Sequence, residues 1–192
     1  MTDRPVQPGF AADSEENADL RAMIRTIADY PAPGIQFRDV STLLLDGEGF
    51  RATIDRLAAR IDPARVDLIA GIEARGFIVA AGLSYALRKG KLMLRKQGKL
   101  PGDTVGIDYA LEYGSDRIEM HVGAVTRGAR VVLVDDLLAT GGTALAGVSL
   151  LRGQGAIVDT ALFIVDLPAL GGAELLRAQG VDPVSLVTFE GD

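Results

Sequence analysis

A chain of 192 residues with 48% hydrophobic and 24% charged side chains is long enough to bury one core and reads as an ordinary globular domain. The absence of cysteine removes disulfides and thiolate metal sites and fits a reducing, cytoplasmic setting, while the lone histidine, His121, cannot build a His-rich metal centre. A net charge of −6 argues against a general nucleic-acid binder, and the longest uncharged apolar run, Gly76 to Leu87, is too short to span a bilayer.

Residues 1–12 contain Pro, Gly and Asp and no apolar signal core, which predicts a mobile tail ahead of a single domain over 13–192. Asp13-Ser14-Glu15-Glu16 resembles a capping box, and Leu20, Met23, Ile24 and Ile27 recur at helical spacing. That predicts an amphipathic helix, ended by Tyr30-Pro31-Ala32-Pro33-Gly34. Gln36, Phe37 and Arg38 then fall on a loop or short extended piece.

Phe50, Ile54, Leu57, Ala58 and Ile61 form a second helical stripe. Asp67 to Ile72 reads as the first core strand, Glu73-Ala74-Arg75-Gly76 as its carboxyl-end loop, and Phe77 to Leu87 as a helix. Arg75 thus sits where the helix dipole disfavours a cation, which suggests an anionic partner; an Arg75–Glu73 surface pair is the plainer alternative. Arg88, Lys89, Lys91, Arg95, Lys96 and Lys99 cluster around a short Leu92-Met93-Leu94 strand, a local positive focus in an acidic chain. From Pro101 to about Ser115 little periodicity is evident, and so long a loop is uncommon unless functional. Arg117 to His121 and Ala156 to Val165 are predicted strands, Gly171 to Gln179 a short helix, and Pro183 to Phe189 a last extended piece.

The most informative stretch is Arg130-Val131-Val132-Leu133-Val134-Asp135-Asp136-Leu137-Leu138-Ala139-Thr140-Gly141-Gly142-Thr143. It reads as a strand buried on both faces, two carboxylates at its carboxyl end, and a glycine turn opening a helix. Such a turn favours a phosphate, through unpaired amides and the positive end of the helix dipole. It lacks both the Lys of a nucleoside-triphosphate loop and the G-x-G-x-x-G dinucleotide pattern. A ligand with a phosphate at one end and a diol or chelated Mg²⁺ a few ångströms away satisfies both features, as a ribose 5-phosphate does. By pattern alone, a buried strand closed by an N-cap-like aspartate pair stays open.

This segment resembles the phosphoribosyl-pyrophosphate (PRPP) motif of the type I phosphoribosyltransferases, in the form found in their adenine-using branch. Further resemblance lies in Tyr30–Asp39, Gly71–Phe77, Arg95–Gly102 and Leu111–Gly114, in the family's order from about Leu20 onward. The resemblance implies an α/β fold: a central, mostly parallel sheet flanked by helices, a small N-terminal hood at about 30–40, and a mobile lid at about 101–115. It implies transfer of the 5-phosphoribosyl group from PRPP to adenine, giving AMP and pyrophosphate, with Mg²⁺ carried as the PRPP chelate and no direct protein metal site.

By the same resemblance, Ala139, Thr140, Gly141, Gly142 and Thr143 hold the 5-phosphate, and Asp135 and Asp136 the ribose, where they act catalytically on developing positive charge. Glu73, Ala74, Arg75, Lys96 and Lys99 hold pyrophosphate. Gln36, Phe37, Arg38 and Leu167 border adenine, in a pocket that Phe163 to Leu167 helps to line. Glu112 and Tyr113 belong to the lid, with Glu112 the proton-handling group. A homodimer is implied; nucleic-acid and membrane partners are not. The rival readings are transfer to xanthine, another purine or orotate, and a PRPP-sensing regulator that performs no transfer.

Overall fold

A computed structural model describes residues 16–110 and 115–190. The first helix is α1 (Ala18–Met23), with Leu20 fully buried. It stops earlier than the Leu20–Ile27 stripe predicts: Ile24 is extended, and β1 (Arg25–Ala28) pairs antiparallel with β2 (Gln36–Asp39), placing Ile27 opposite Phe37. Ile24, Thr26 and Ile27 are β-branched, and strand pairing outweighs a helical spacing only a few residues long. This ribbon, which overlaps the span where a hood is expected, stands apart from the main sheet.

Two short helices follow, α2 (Ser41–Leu45) and α3 (Gly47–Ala58), the latter capped by the Asp46 carboxylate on the Gly49 amide. Ile61 lies past the end of α3. Then come β3 (Leu68–Ile72), α4 (Gly76–Leu87) and β4 (Gly90–Lys96) as a parallel crossover unit. The stretch expected to be an irregular lid is instead largely a strand, β5 (Thr104–Ala110), paired antiparallel with β6 (Ser115–His121). Val105, Ile107 and Tyr109 alternate onto the core, a period-2 signal short enough to escape notice between glycines and aspartates. Glu112 and Tyr113 lie outside the described residues, as do the tail and most of the predicted capping box.

The chain continues through β7 (Val131–Val134), the two-residue β8 (Leu137–Leu138), α5 (Gly142–Gly153), β9 (Thr160–Asp166), α6 (Gly172–Ala178) and β10 (Asp182–Thr188). The predicted strand from Ala156 begins only at Thr160, with Ile157 contributing an isolated bridge to Arg130. The main sheet runs β10-β9-β7-β3-β4-β6-β5. Its first five strands are parallel and its last two antiparallel.

Side chains of the central strands alternate between two cores. Ile69, Val132, Val134 and Leu162 face α1 to α4; Ala70, Leu133 and Phe163 face α5 and α6. A strand covered on both faces has no polar side, which is why β7 reads as an unbroken apolar run. No helix among the described residues is long and apolar enough to cross a membrane.

The crossover from β3 runs outward to β4, whereas β7, β9 and β10 build up on the other side of β3. The direction of winding therefore reverses between β3 and β7. The crevice beyond the carboxyl ends of two such strands is where α/β sheets bind ligands.

Candidate active site

Both motifs open into that crevice. β3 ends in Glu73-Ala74-Arg75, where the Glu73–Ala74 peptide is cis, and β7 ends in Asp135-Asp136. With the end of β4 and a wall from the β5–β6 hairpin they enclose a cavity of about 350 Å³. Arg75, Lys96, Tyr109, Asp116, Asp135, Asp136 and Thr143 are among its lining residues. Two glycines allow the close packing beneath it. A Cβ on Gly76 would lie 2.8 Å from both Asp135 Oδ1 and the Val134 carbonyl, and one on Gly71 would meet the Ala80 Cβ at 2.7 Å.

The aspartate pair is asymmetric. Asp136 Oδ2 accepts a 2.5 Å charge-assisted bond from Arg75 Nε, with little of its side chain exposed. Asp135 Oδ1 accepts the Asp136 amide at 2.9 Å. Burial, reinforced by the neighbouring Asp136 charge, pushes the Asp135 carboxyl well above the ordinary range. For Arg75, burial works against the charged form, but Asp136, Asp135 and the more remote charge of Asp39 together outweigh it and raise its affinity for the proton. The Arg75–Glu73 pair allowed by the sequence does not form.

Glu73 turns instead to Arg95, which donates to both carboxylate oxygens at 3.0 Å, and it also accepts the Lys96 amide at 3.1 Å. The Arg95 bond leads the causes that lower the Glu73 carboxyl. So engaged, the Glu73 side chain holds Arg95 and the Lys96 backbone at the edge of the cavity. Lys99 is exposed and absent from the cavity lining; its carbonyl accepts from Arg95 at 2.8 Å. Lys96 does reach the cavity, with Nζ 3.1 Å from Asp116 Oδ2, and Asp116 is the main reason its affinity for the proton rises.

The glycine turn opens α5 with Gly141 at φ +82°, a left-handed conformation that a side chain would strain. Among the described residues, the amides of Thr140, Gly141, Gly142 and Thr143 donate to no protein acceptor, and no side chain caps the helix. The Ala139 carbonyl is tied to the Gly172 amide at 3.1 Å, which fixes the turn against the start of α6. Unpaired amides at a helix N-terminus are an arrangement that favours an anion.

The family model described as "Phosphoribosyl transferase domain" matches residues 41–178. The adenine phosphoribosyltransferase of Erythrobacter litoralis is 56% identical over 173 residues, 90% of this chain and 97% of that protein. The chain belongs to the adenine phosphoribosyltransferase family. Among solved structures, the adenine phosphoribosyltransferase of Thermoanaerobacter pseudethanolicus superposes with a TM-score of 0.85 at 44% identity, covering 90% of this chain and 99% of that one. That of Trypanosoma brucei, in complex with AMP, pyrophosphate and ribose-5-phosphate, gives 0.83 at 27% identity, covering 94% and 82%.

In this adenine phosphoribosyltransferase fold the hood residues stand outside the cavity that holds the aspartates. Phe37 meets Tyr30 edge to face at 5.2 Å. Arg38 donates to Thr26 Oγ1 at 2.6 Å and lies 4.5 Å over the Phe189 ring, which Arg21 also approaches. Gln36 is half-buried on β2. Leu167 packs on the α1–α4 side of the sheet, and Phe163 points to the other core with no exposure. Two polar residues that the sequence did not single out, Tyr109 and Asp116, line the cavity, as does Arg95, which the sequence placed only in the cationic cluster. The alternation through Val105, Ile107 and Tyr109 was the available signal for Tyr109; nothing in the sequence marks Asp116.

Proposed function

We propose that this chain works as its family does, transferring the 5-phosphoribosyl group of PRPP to adenine with release of pyrophosphate and formation of AMP. The observation that carries the reading is the single cavity at the switch point, where the aspartate pair, Arg75 and Lys96 face one another beside the unpaired amides of the glycine turn. Those amides, with the Thr140 and Thr143 hydroxyls, take the 5-phosphate. Asp135 and Asp136 take the ribose hydroxyls, and Arg75 and Lys96 take the pyrophosphate.

In the transfer, the bond from the anomeric carbon to pyrophosphate breaks and one to a purine ring nitrogen forms. Positive charge grows on the sugar meanwhile. Two carboxylates fixed beneath it stabilise that charge without reorganising. Glu112 takes the proton that the purine nitrogen sheds; its assignment rests on the Leu111-Glu112-Tyr113-Gly114 resemblance. The hood ribbon, with Phe37, Arg38 and Gln36, and Leu167 border the base.

Mg²⁺ enters as a chelate of PRPP. Mg²⁺ keeps waters and is usually bound through one or two carboxylates together with substrate phosphates, as a chelated donor would present it. A homodimer is supported by α4, whose sequence is apolar on every side and yet leaves Ile78 and Tyr85 exposed. A helix of that kind is ordinarily covered all round. Action in the cytoplasm fits a chain without cysteines.

The test is AMP formation from adenine, PRPP and Mg²⁺, with hypoxanthine and guanine in parallel. Adenine should be strongly preferred. Equal rates with adenine and hypoxanthine would overturn the choice of base while leaving the donor site intact.

A further inference from the structure

Each cation of the cleft is held by a carboxylate of the protein itself: Arg75 by Asp136, Arg95 by Glu73, and Lys96 by Asp116. The first two carboxylates belong to the motifs already described. Asp116 does not. It is the second residue of β6, paired with Tyr109 across the hairpin, so its backbone is fixed in the sheet.

The contacts of Asp116 cross the cavity. Its Oδ2 lies 3.1 Å from Lys96 Nζ and accepts the Tyr109 hydroxyl at 3.3 Å, while Oδ1 accepts the Arg117 amide at 2.8 Å. Thr143, in the first turn of α5, borders the same cavity as Tyr109. Lys96, Asp116, Tyr109 and Thr143 thus form a polar row along that cavity, the first three joined by direct contacts. A donor carrying phosphates at both ends would claim the two terminal groups of that row, the Lys96 ammonium and the Thr143 hydroxyl.

A carboxylate anchored on a strand cannot withdraw when a phosphate arrives. It competes for the same ammonium and repels the incoming charge. We propose that Asp116 stands in for the donor's pyrophosphate. It holds Lys96 aligned in the empty cleft, yields it to PRPP, and takes it back when pyrophosphate leaves. Asp116 is thus a positioning residue that trades donor affinity for product release. The inference rests on the reading of Lys96 as a pyrophosphate contact.

The experiment compares wild type with Asp116→Asn and Asp116→Ser, by initial rates over a range of PRPP at saturating adenine and by pyrophosphate inhibition. One unit of negative charge removed near a polyanion should tighten its binding by about 3- to 10-fold in a solvated cleft. KM for PRPP and the inhibition constant for pyrophosphate should both fall by about that factor, with KM for adenine unchanged and kcat no higher. A purely structural Asp116 gives the opposite sign, weaker PRPP binding together with a lower Tm. Unchanged or weaker binding of PRPP and pyrophosphate in both variants overturns the proposal. Lys96→Ala is the control for the underlying site. If it weakens PRPP and Asp116→Asn in that background no longer tightens it to the same extent, the two act through one contact. If Lys96→Ala leaves PRPP and pyrophosphate untouched, the site reading falls, and the proposal with it.

Discussion

The most exacting consequence of this architecture concerns a residue with no side chain. Gly172 begins α6, and its amide donates to the Ala139 carbonyl in the turn assigned to the 5-phosphate. A Cβ at Gly172 would lie 2.2 Å from that same oxygen and 2.9 Å from the Gly141 nitrogen. Reaching even 3.0 Å from the oxygen, a separation real Cβ atoms keep, requires a shift of about 0.8 Å between α6 and the turn. Both neighbours are backbone, so no side chain can rotate away. Overpacking of this kind costs about 1–3 kcal/mol, and a misplacement near 1 Å in a substrate-positioning element costs about 100-fold in rate. Gly172→Ala should therefore lower kcat/KM for PRPP by about 30- to 100-fold, with KM for adenine little changed. Gly171→Ala is the internal control, because it is adjacent, has φ +75° and has nothing within 4 Å of its Cβ. It should cost about 1–2 kcal/mol of stability, a fall of a few degrees in Tm, and leave PRPP kinetics alone. A native KM for PRPP in Gly172→Ala, or an equal rise in both variants, would refute the idea that α6 sets the position of the turn.

Glu112→Gln should lower turnover by about 10²–10⁴-fold while leaving the PRPP dissociation constant nearly intact, and wild-type turnover would remove Glu112 from the chemistry. Asp135→Asn should raise Tm at neutral pH while abolishing most activity. Because the folded carboxyl holds its proton to higher pH than the unfolded one, Asp135 lowers stability as pH rises above about its ordinary 3.8, and the cost is complete once its raised pKa is passed. The variant's advantage, about 0.5–2 kcal/mol, should thus be present at pH 7.5 and vanish toward pH 4; Tm measured against pH decides, and a variant no more stable at pH 7.5 contradicts the sign. Tyr85→Glu, which puts a charge on the exposed apolar face of α4, should shift the chain from dimer to monomer in sedimentation; an unchanged mass would locate any dimer contact elsewhere.

How far the sequence reaches depends on how long each pattern runs before tertiary contacts overrule it. β7 and α4 are legible because four consecutive apolar residues and twelve uncharged, mostly apolar ones leave few alternatives. The spacing of Leu20, Met23, Ile24 and Ile27 fits a helix, yet its last member, Ile27, pairs across the ribbon with Phe37. β5 escapes the pattern because Gly106 and Asp108 interrupt an alternation whose apolar members only half bury. In the site, residue types and their order were legible, whereas ion-pair partners were not. Glu73 and Arg95 are 22 positions apart, Arg75 and Asp136 are 61 apart, and only the sheet order brings each pair together.

The perturbed aspartate has a consequence for catalysis on the proposed reading. A carboxyl whose ionised form is disfavoured by burial and by Asp136 is unstable in the empty cleft, and that instability is relieved by positive charge placed beside it. The ground-state sugar carries none; the transition state does. The gain in interaction therefore falls mainly on the transition state, which is the condition for raising kcat rather than merely tightening binding. Arg75 sharpens the difference. While it holds Asp136 at 2.5 Å it quenches one of the two acids, and transferring that guanidinium to pyrophosphate would release the second carboxylate toward the ring as the bond breaks. Donor binding and charge development are then coupled through a single ion pair, and replacing Asp136 with Asn should cost more in kcat than in KM for PRPP.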